Sequence, residues 1–484
     1  MPAKQTLITQ YHFEPRSGWM NDPNGLVYLD GEYHLFYQHN PAATVWGPMH
    51  WGHAVSQDLI TWHELPIALY PDEIGTIFSG SCVIDTHNSA GFGARAMVAI
   101  FTHHHPQRGQ AQSLAYSVDH GRTWAKYAHN PVLRPEPYVK DFRDPKVVWY
   151  ETDTDAGHWV MILAAGQEIR FFVSSDLRSW QATGTFGAGV GSHTGVWETP
   201  ELIKLPVNGG PETRWLLEVA VSEGAPAGGS GVQYFIGDFD GRVFTASENP
   251  VPTRWVDFGA DFYAPQAWNN LTDGRTIWLG WMNNWSYANK IPDFGARRGA
   301  MSLPRELSLV HDDRGHALTQ TPVRELLLPR MPVGGWRARV IEGTSIALPV
   351  SNAPNRELQL VFQIDSATTA HACGVLLTSA HHPVDNPILR VEIDLVAQQL
   401  RVHRTGFGDQ APTFDACHSA PLTVQPGLQN LTLILSPHSV EVFWDKGRVV
   451  MTELLFAEAG EVTTFLFATE GRVTIDSAKL FELN

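Results

Sequence analysis

Ser56-Gln57-Asp58-Leu59-Ile60-Thr61-Trp62 recurs as Ser117-Val118-Asp119-His120-Gly121-Arg122-Thr123-Trp124, and again as Ser174-Ser175-Asp176-Leu177-Arg178-Ser179-Trp180. A degenerate fourth copy is Gly237-Asp238-Phe239-Asp240-Gly241-Arg242-Val243-Phe244. The copies start about 60 residues apart, longer than the ~40–50 of common propeller repeats but the same kind of signature. Around them the hydrophobic pattern is strand-like and turn clusters come often. Each repeat therefore reads as one four-stranded unit. The first opens at Asn21 to Tyr28, continues through Gly31 to Gln38 and Trp51 to Ser56, and closes at Trp62. Further units open near Phe78, at Arg143-Asp144, at Glu198 and near Phe262-Tyr263-Ala264. No such unit buries both its faces alone, so the units must pack radially. The expected fold is all-β: a five-bladed β-propeller over residues 1–310, with the opening strand of each blade lining a central channel.

After Leu307 the repeat stops. Residues 311–333 read as a linker with a short helix at Pro322 to Leu328, ended by Pro329. From about Gly334 the strands alternate cleanly, as in Leu389 to Leu395 and Ser439 to Val442, which predicts a β-sandwich over residues 334–484. That second domain carries no catalytic cluster, and packing against the propeller is its expected role.

Composition narrows the function. A formal net charge of −16 argues against a nucleic-acid partner, which would need a basic face. Only 17% of residues are charged, while Trp (17) and Phe (23) are plentiful, which suits a neutral, hydroxyl-rich ligand. Cys82, Cys373 and Cys417 have no ligand-like spacing, so neither a disulfide framework nor a zinc site is expected. His103-His104-His105 reads as a polar loop at the channel rim, because three adjacent His on a strand cannot converge on one ion. No apolar run reaches membrane length, and MPAKQTLITQ lacks a signal-peptide core, so no membrane partner and a cytoplasmic location are expected.

Three blade openings share a pattern: Asn21-Asp22-Pro23, Phe142-Arg143-Asp144-Pro145 and Trp197-Glu198-Thr199-Pro200. Each places a carboxylate before a Pro, and at equivalent positions the three should meet at one mouth of the channel. Two carboxyls flanking a glycosidic bond suffice for its hydrolysis, one protonating the leaving oxygen and the other attacking or activating water. Their pKa values must then be pushed apart. Asp22, in an amide-rich turn, is expected to stay ionised. Glu198, beside Trp197 and Val196, is expected to have its pKa raised by an apolar setting. Asp144, beside Arg143, is expected to stay charged and hold sugar hydroxyls.

These residues carry a resemblance to glycoside hydrolase family 32, the invertases, exo-inulinases and levanases. The shared motifs are WMNDPNG (19–25), FYQHNP (36–41), WGHAVSQDLITW (51–62), FSGS (78–81), FRDP (142–145), WETPEL (197–202), YFIGDFDG (234–241) and RGAMSLPREL (298–307). The resemblance implies a five-bladed propeller plus a C-terminal β-sandwich. It implies Asp22 as nucleophile, Glu198 as acid/base and Asp144 as transition-state stabiliser. Asn21, Gln38, Trp46, Ser79 and Arg143 would hold the terminal fructosyl unit, with Phe78 and Trp281 as apolar walls. The family's Glu-Cys-Pro reads Glu-Thr-Pro here.

The implied reaction is retaining, exo-acting hydrolysis of terminal β-D-fructofuranosyl bonds in fructans of levan or inulin type, fructo-oligosaccharides and sucrose. It would need no metal and no organic cofactor. A fructosyltransferase and a dedicated sucrose hydrolase are the alternatives. The single strict Asp-box, SVDHGRTW (117–124), is a blade-turn device and makes a sialidase only a weak alternative. The expected partner is a small-molecule or polymeric fructoside, and the second domain is a candidate surface for a homo-oligomer.

Overall fold

The structure is a computed structural model that describes residues 11–152, 155–247, 252–291, 295–351, 353–405, 414–455 and 462–483. The N-terminal decapeptide used in the leader reading lies outside them. Among the described residues the fold is all-β, with one single-turn 3-10 helix at Arg324–Leu327 where the sequence predicts a short helix. The chain divides into two compact units, one holding residues 1–224, 230–255 and 263–316, the other holding 225–229, 256–262 and 317–484.

The first unit is built around five sheets, antiparallel except that the short strand Arg297–Arg298 pairs in parallel with the start of the first opening strand. Their opening strands are Gly18–Leu29, Thr76–Asp85, Phe142–Thr152, Trp197–Pro206 and Tyr263–Ala267. Each opening strand neighbours the next, and the fifth neighbours the first, so the five form a closed ring. Apolar side chains fill the spaces between consecutive sheets. Val27, Phe36 and Trp51 of the first meet Cys82, Ala99 and Phe101 of the second. Val83, Ile100 and Leu114 meet Val147, Trp159 and Met161 of the third, whose Val160 and Phe171 meet Leu202, Leu217 and Phe235 of the fourth.

The recurring Ser-x-Asp segment forms the turn that leads out of the third strand. Asp58 Oδ1 accepts from the Ile60 and Thr61 amides, and Asp176 Oδ1 from those of Arg178 and Ser179. Asp119 and Asp240 do the same for Thr123, and for Arg242 and Val243. The residue after each Asp takes a positive φ: Leu59 (64°), His120 (58°), Leu177 (60°) and Gly241 (88°). The carboxylate supplies the amide partners that make this turn repeatable. Trp124 and Trp180 lock it by donating Nε1–H to the carbonyls of Gly121 and Leu177.

In all five sheets the pairing of the opening strand with the second strand breaks at the same level, leaving two residues unpaired. They are Asn21-Asp22, Phe78-Ser79, Asp144-Pro145, Thr199-Pro200 and Ala264-Pro265. Such breaks bend a strand and re-aim its side chains. Pro fits them because it has no N–H to contribute to the ladder.

The second unit contains two six-stranded sheets. Leu358, Leu360, Leu431 and Leu433 from one, with Val375, Val391, Ile393 and Val402 from the other, form a single apolar cluster. The alternation read from Leu389 onward is the alternation of this face with solvent.

Candidate active site

The five breaks bring the predicted carboxyls together, but at a different equivalence from the one the sequence suggests. Counted from the last paired residue, Arg143 aligns with Glu198 and Tyr263, and Asp144 aligns with Thr199 and Ala264. Asp144, Thr199 and Ala264 share a positive φ (63°, 43° and 52°). Asp22 corresponds to Ser79 instead. The motif alignment fails because Asp144 directly precedes its Pro whereas Glu198 lies two residues before Pro200.

Residues at equivalent levels of neighbouring sheets bond to each other. Ser79 donates its hydroxyl to Asp22 Oδ2 at 2.7 Å, and Asn21 Nδ2 donates to Asp22 Oδ1 at 3.0 Å. Arg143 Nη2 reaches Glu198 Oε1 at 2.9 Å, and its Nη1 reaches Asp141 Oδ1 at 2.6 Å. Tyr263 donates to Glu198 Oε2 at 2.5 Å. The Thr199 amide donates to Asp144 Oδ2 at 3.0 Å, and the Asp144 amide donates to Thr102 Oγ1 at 3.0 Å.

Burial changes the electrostatics from the sequence expectation. Asp22 is buried, and desolvation lifts its pKa to about 6 although Ser79 and Asn21 pull it down; the charge of Glu198 adds to the rise. Asp144 is also buried, and desolvation takes it to about 7 against the pull of Arg143, with Glu198 and Asp22 adding to the rise. The expectations that turn donors would keep Asp22 ionised and that Arg143 would keep Asp144 charged are thus both corrected by desolvation. Burial works against the charge of Arg143 too, yet Glu198 and Asp144 outweigh it and hold the guanidinium protonated.

The setting expected for Glu198 is corrected as well. Trp197 is fully buried and turns away, donating Nε1–H to the Ser192 carbonyl. The carboxyl of Glu198 instead lies between the guanidinium of Arg143 and the hydroxyl of Tyr263.

The remaining predicted residues divide. Gln38 is buried and donates Nε2–H to Asn24 Oδ1 at 2.8 Å, two residues from Asp22. Trp46 is 44% exposed; its amide donates to Asn289 Oδ1 and its ring meets the edge of Phe78 at 6.1 Å. One face of Phe78 is covered by the imidazole of His104 at 4.5 Å. Trp281 is 0% exposed, packed among Trp19, Trp285 and Tyr263, so it offers no open ring to a sugar. Sequence reasoning missed Tyr263. The Pro265 that follows Ala264 was the available signal, since it marks a third break with Pro as its second residue.

Three carboxyls that share a site, two of them with raised pKa and one held by Arg and Tyr, can divide acid, base and nucleophile roles among themselves. That is the chemistry of a glycoside-cleaving centre. Comparison with known proteins gives the family. Residues 12–322 match the glycosyl hydrolases family 32 N-terminal domain, and residues 337–482 match the family 32 C-terminal domain. The chain belongs to glycosyl hydrolase family 32 and is a glycoside hydrolase.

It is 44% identical to a levanase of Bacillus subtilis over 98% of this chain and 70% of that protein. The crystal structure of exo-inulinase from Aspergillus awamori superposes with a TM-score of 0.90 at 33% identity, covering 98% of each chain. The fructofuranosidase of Schwanniomyces occidentalis complexed with fructose gives 0.88 at 30% identity, covering 98% of this chain and 97% of that one.

Proposed function

We propose that this glycoside hydrolase releases terminal β-D-fructofuranosyl units from fructans, fructo-oligosaccharides and sucrose, with retention of configuration. The observation that carries the reading is the convergence of Asp22, Asp144 and Glu198 at the breaks of three opening strands, in a chain similar to a levanase and an exo-inulinase. Asp22 attacks the anomeric carbon as the bond to the leaving oxygen breaks, and Glu198 gives that oxygen a proton. Glu198 then takes a proton from water, whose oxygen displaces the Asp22 carboxylate and frees fructose. Asp144, with Arg143, holds the hydroxyls of the fructosyl ring as charge develops on it. Asn21, Gln38, Trp46 and Ser79 complete the pocket for that ring, and Phe78 with His104 forms its wall.

The same reading makes the five sheets blades of one five-bladed propeller and the second unit a β-sandwich; the bounds expected from sequence (1–310, a linker over 311–333, 334–484) shift, because Gly315–Pro322 is a strand of the fifth sheet and Arg330–Glu342 already belongs to a six-stranded sheet of the second unit. Five opening strands adjoining in a closed ring support it. Incubation with sucrose, inulin and levan tests the function: free fructose should accumulate with few intermediates, and a spread of short oligosaccharides would count against exo action.

A further inference from the structure

The segment Arg134-Pro135-Glu136-Pro137-Tyr138-Val139-Lys140-Asp141 leads from the second sheet of the ring into the opening strand of the third. It leaves the second sheet where Leu133 pairs with Gln112, and ends where Phe142 donates its amide to Gln110 Oε1. Its last residue belongs to the catalytic row: Asp141 Oδ1 accepts from Arg143 Nη1 at 2.6 Å, and Arg143 Nη2 holds Glu198. The Asp141 side chain is 40% exposed against 12% for Arg143, so the row opens to solvent on the side of Asp141. Tyr138 is three residues from Asp141, which puts its Cα within about 11 Å of that residue's.

The side chain of Tyr138 is fully exposed. The backbone beneath it is held on both sides. Glu136 pairs with Arg170, the Val139 amide donates to the Glu136 carbonyl at 3.3 Å, and the Val139 side chain packs against the core between the second and third sheets. Pro137 in the second position and a φ of 84° at Tyr138 in the third are the marks of a type II turn, where Gly or Asn ordinarily stands. A bulky residue is strained there, and strain of this kind gathers at ligand-binding positions. No packing of the Tyr138 ring offsets either the strain or the exposure.

We propose that Tyr138 is an aromatic platform for the body of a fructan chain, stacking on a fructosyl unit beyond the sugar next to the scissile bond. The inference rests on the fructofuranosidase reading above. Glu198 gives its proton to the leaving oxygen, so the rest of the chain leaves the pocket on the Glu198 side. From there the Arg143–Asp141 row runs outward to the rim that carries Tyr138. A tyrosine offers an apolar face to the C–H side of a sugar ring and a hydroxyl to its polar edge. The contact favours long chains without touching the terminal unit, and sucrose is too short to make it.

The test compares sucrose with inulin and levan. Tyr138→Gly removes the ring and suits the positive φ, so the turn is kept and the melting temperature should not fall. In this variant kcat/KM on sucrose should stay within about 2-fold, while on at least one polymer it should fall about 10-fold, the scale of one lost aromatic contact, mainly through KM. Tyr138→Phe, which keeps the ring, should recover most of that loss. An equal loss on sucrose and the polymers, or no loss on either polymer, would overturn the proposal, as would a wild-type enzyme that cleaves sucrose alone. A wild-type enzyme that releases fructose from none of the three would instead overturn the underlying fructofuranosidase reading.

Discussion

Tyr263 donates its phenolic hydrogen to Glu198 Oε2 at 2.5 Å, while Arg143 holds Oε1 of the same carboxyl at 2.9 Å. The two partners come from the sheets on either side of Glu198, at the same level of their opening strands. The carboxyl is thereby fixed in plane by a cation and a neutral donor. Burial and the charge of Glu198 keep the Tyr263 phenol well above its usual pKa, so it remains a donor across the working range. Tyr263→Phe removes the neutral donor and leaves the cation. The expected result is a loss of roughly 10-fold or more in kcat, the scale of a positioned proton-transfer partner. An unchanged kcat would show that Tyr263 only fills space.

Ser79 sets the acid side. Its hydroxyl bond to Asp22 Oδ2 lowers a pKa that burial has raised to about 6. Removing the donor therefore raises that pKa further. In Ser79→Ala the acidic limb of kcat/KM should move to higher pH, because Asp22 must lose its proton to attack. A limb that moves to lower pH, or does not move, would mean that another group sets it.

Thr199 stands where the family's motif has Cys. Its side chain is buried, its Oγ1 has no hydrogen-bond partner, and its φ is 43°. A β-branched residue is strained at positive φ, and a buried hydroxyl without a partner is costly. Thr199→Cys relieves both, so thermal denaturation should show a gain of about 1 kcal/mol. The Thr199 amide that binds Asp144 is retained in this variant, so activity should change little.

Asp144 carries a stability cost. Its pKa rises from 3.8 to about 7 on folding, so the folded state binds more protons than the unfolded state between those values. Stability then falls as pH rises through that window. At pH 7 the cost is on the order of 4 kcal/mol, from the size of the shift. Asp144→Asn should unfold at higher temperature than the wild type at pH 7, with the difference shrinking toward pH 4. Activity should fall by roughly 10²-fold or more, the scale of losing one preorganised electrostatic contact. A variant that is both active and no more stable would contradict the assigned role.

Much of the five-sheet unit was legible because its repeat does a local job. Asp58, Asp119, Asp176 and Asp240 each satisfy amides within three or four residues, so sequence spacing alone exposes them. The carboxyls at the breaks were legible from their Pro neighbours. Their register was not, because Asp144 and Glu198 differ by one position against the ladder, and only cross-strand pairing reveals that. Tyr263 escaped because Tyr-Ala-Pro carries no acid, although it completes the Arg143–Glu198–Tyr263 row. Trp281 is covered by Trp19, Trp285 and Tyr263 rather than open, and a Trp on a strand looks the same in sequence in either case. The pKa directions of Asp22 and Asp144 depended on desolvation, which no local motif encodes.

The anomeric configuration of the first fructose released tests the central claim most directly. Proton NMR of the initial phase of sucrose or levan hydrolysis, at a temperature low enough to slow mutarotation, should show β-D-fructofuranose appearing first, as two displacements at one carbon require. Initial release of the α-anomer would contradict the assignment of Asp22 as nucleophile and of Glu198 as its acid/base.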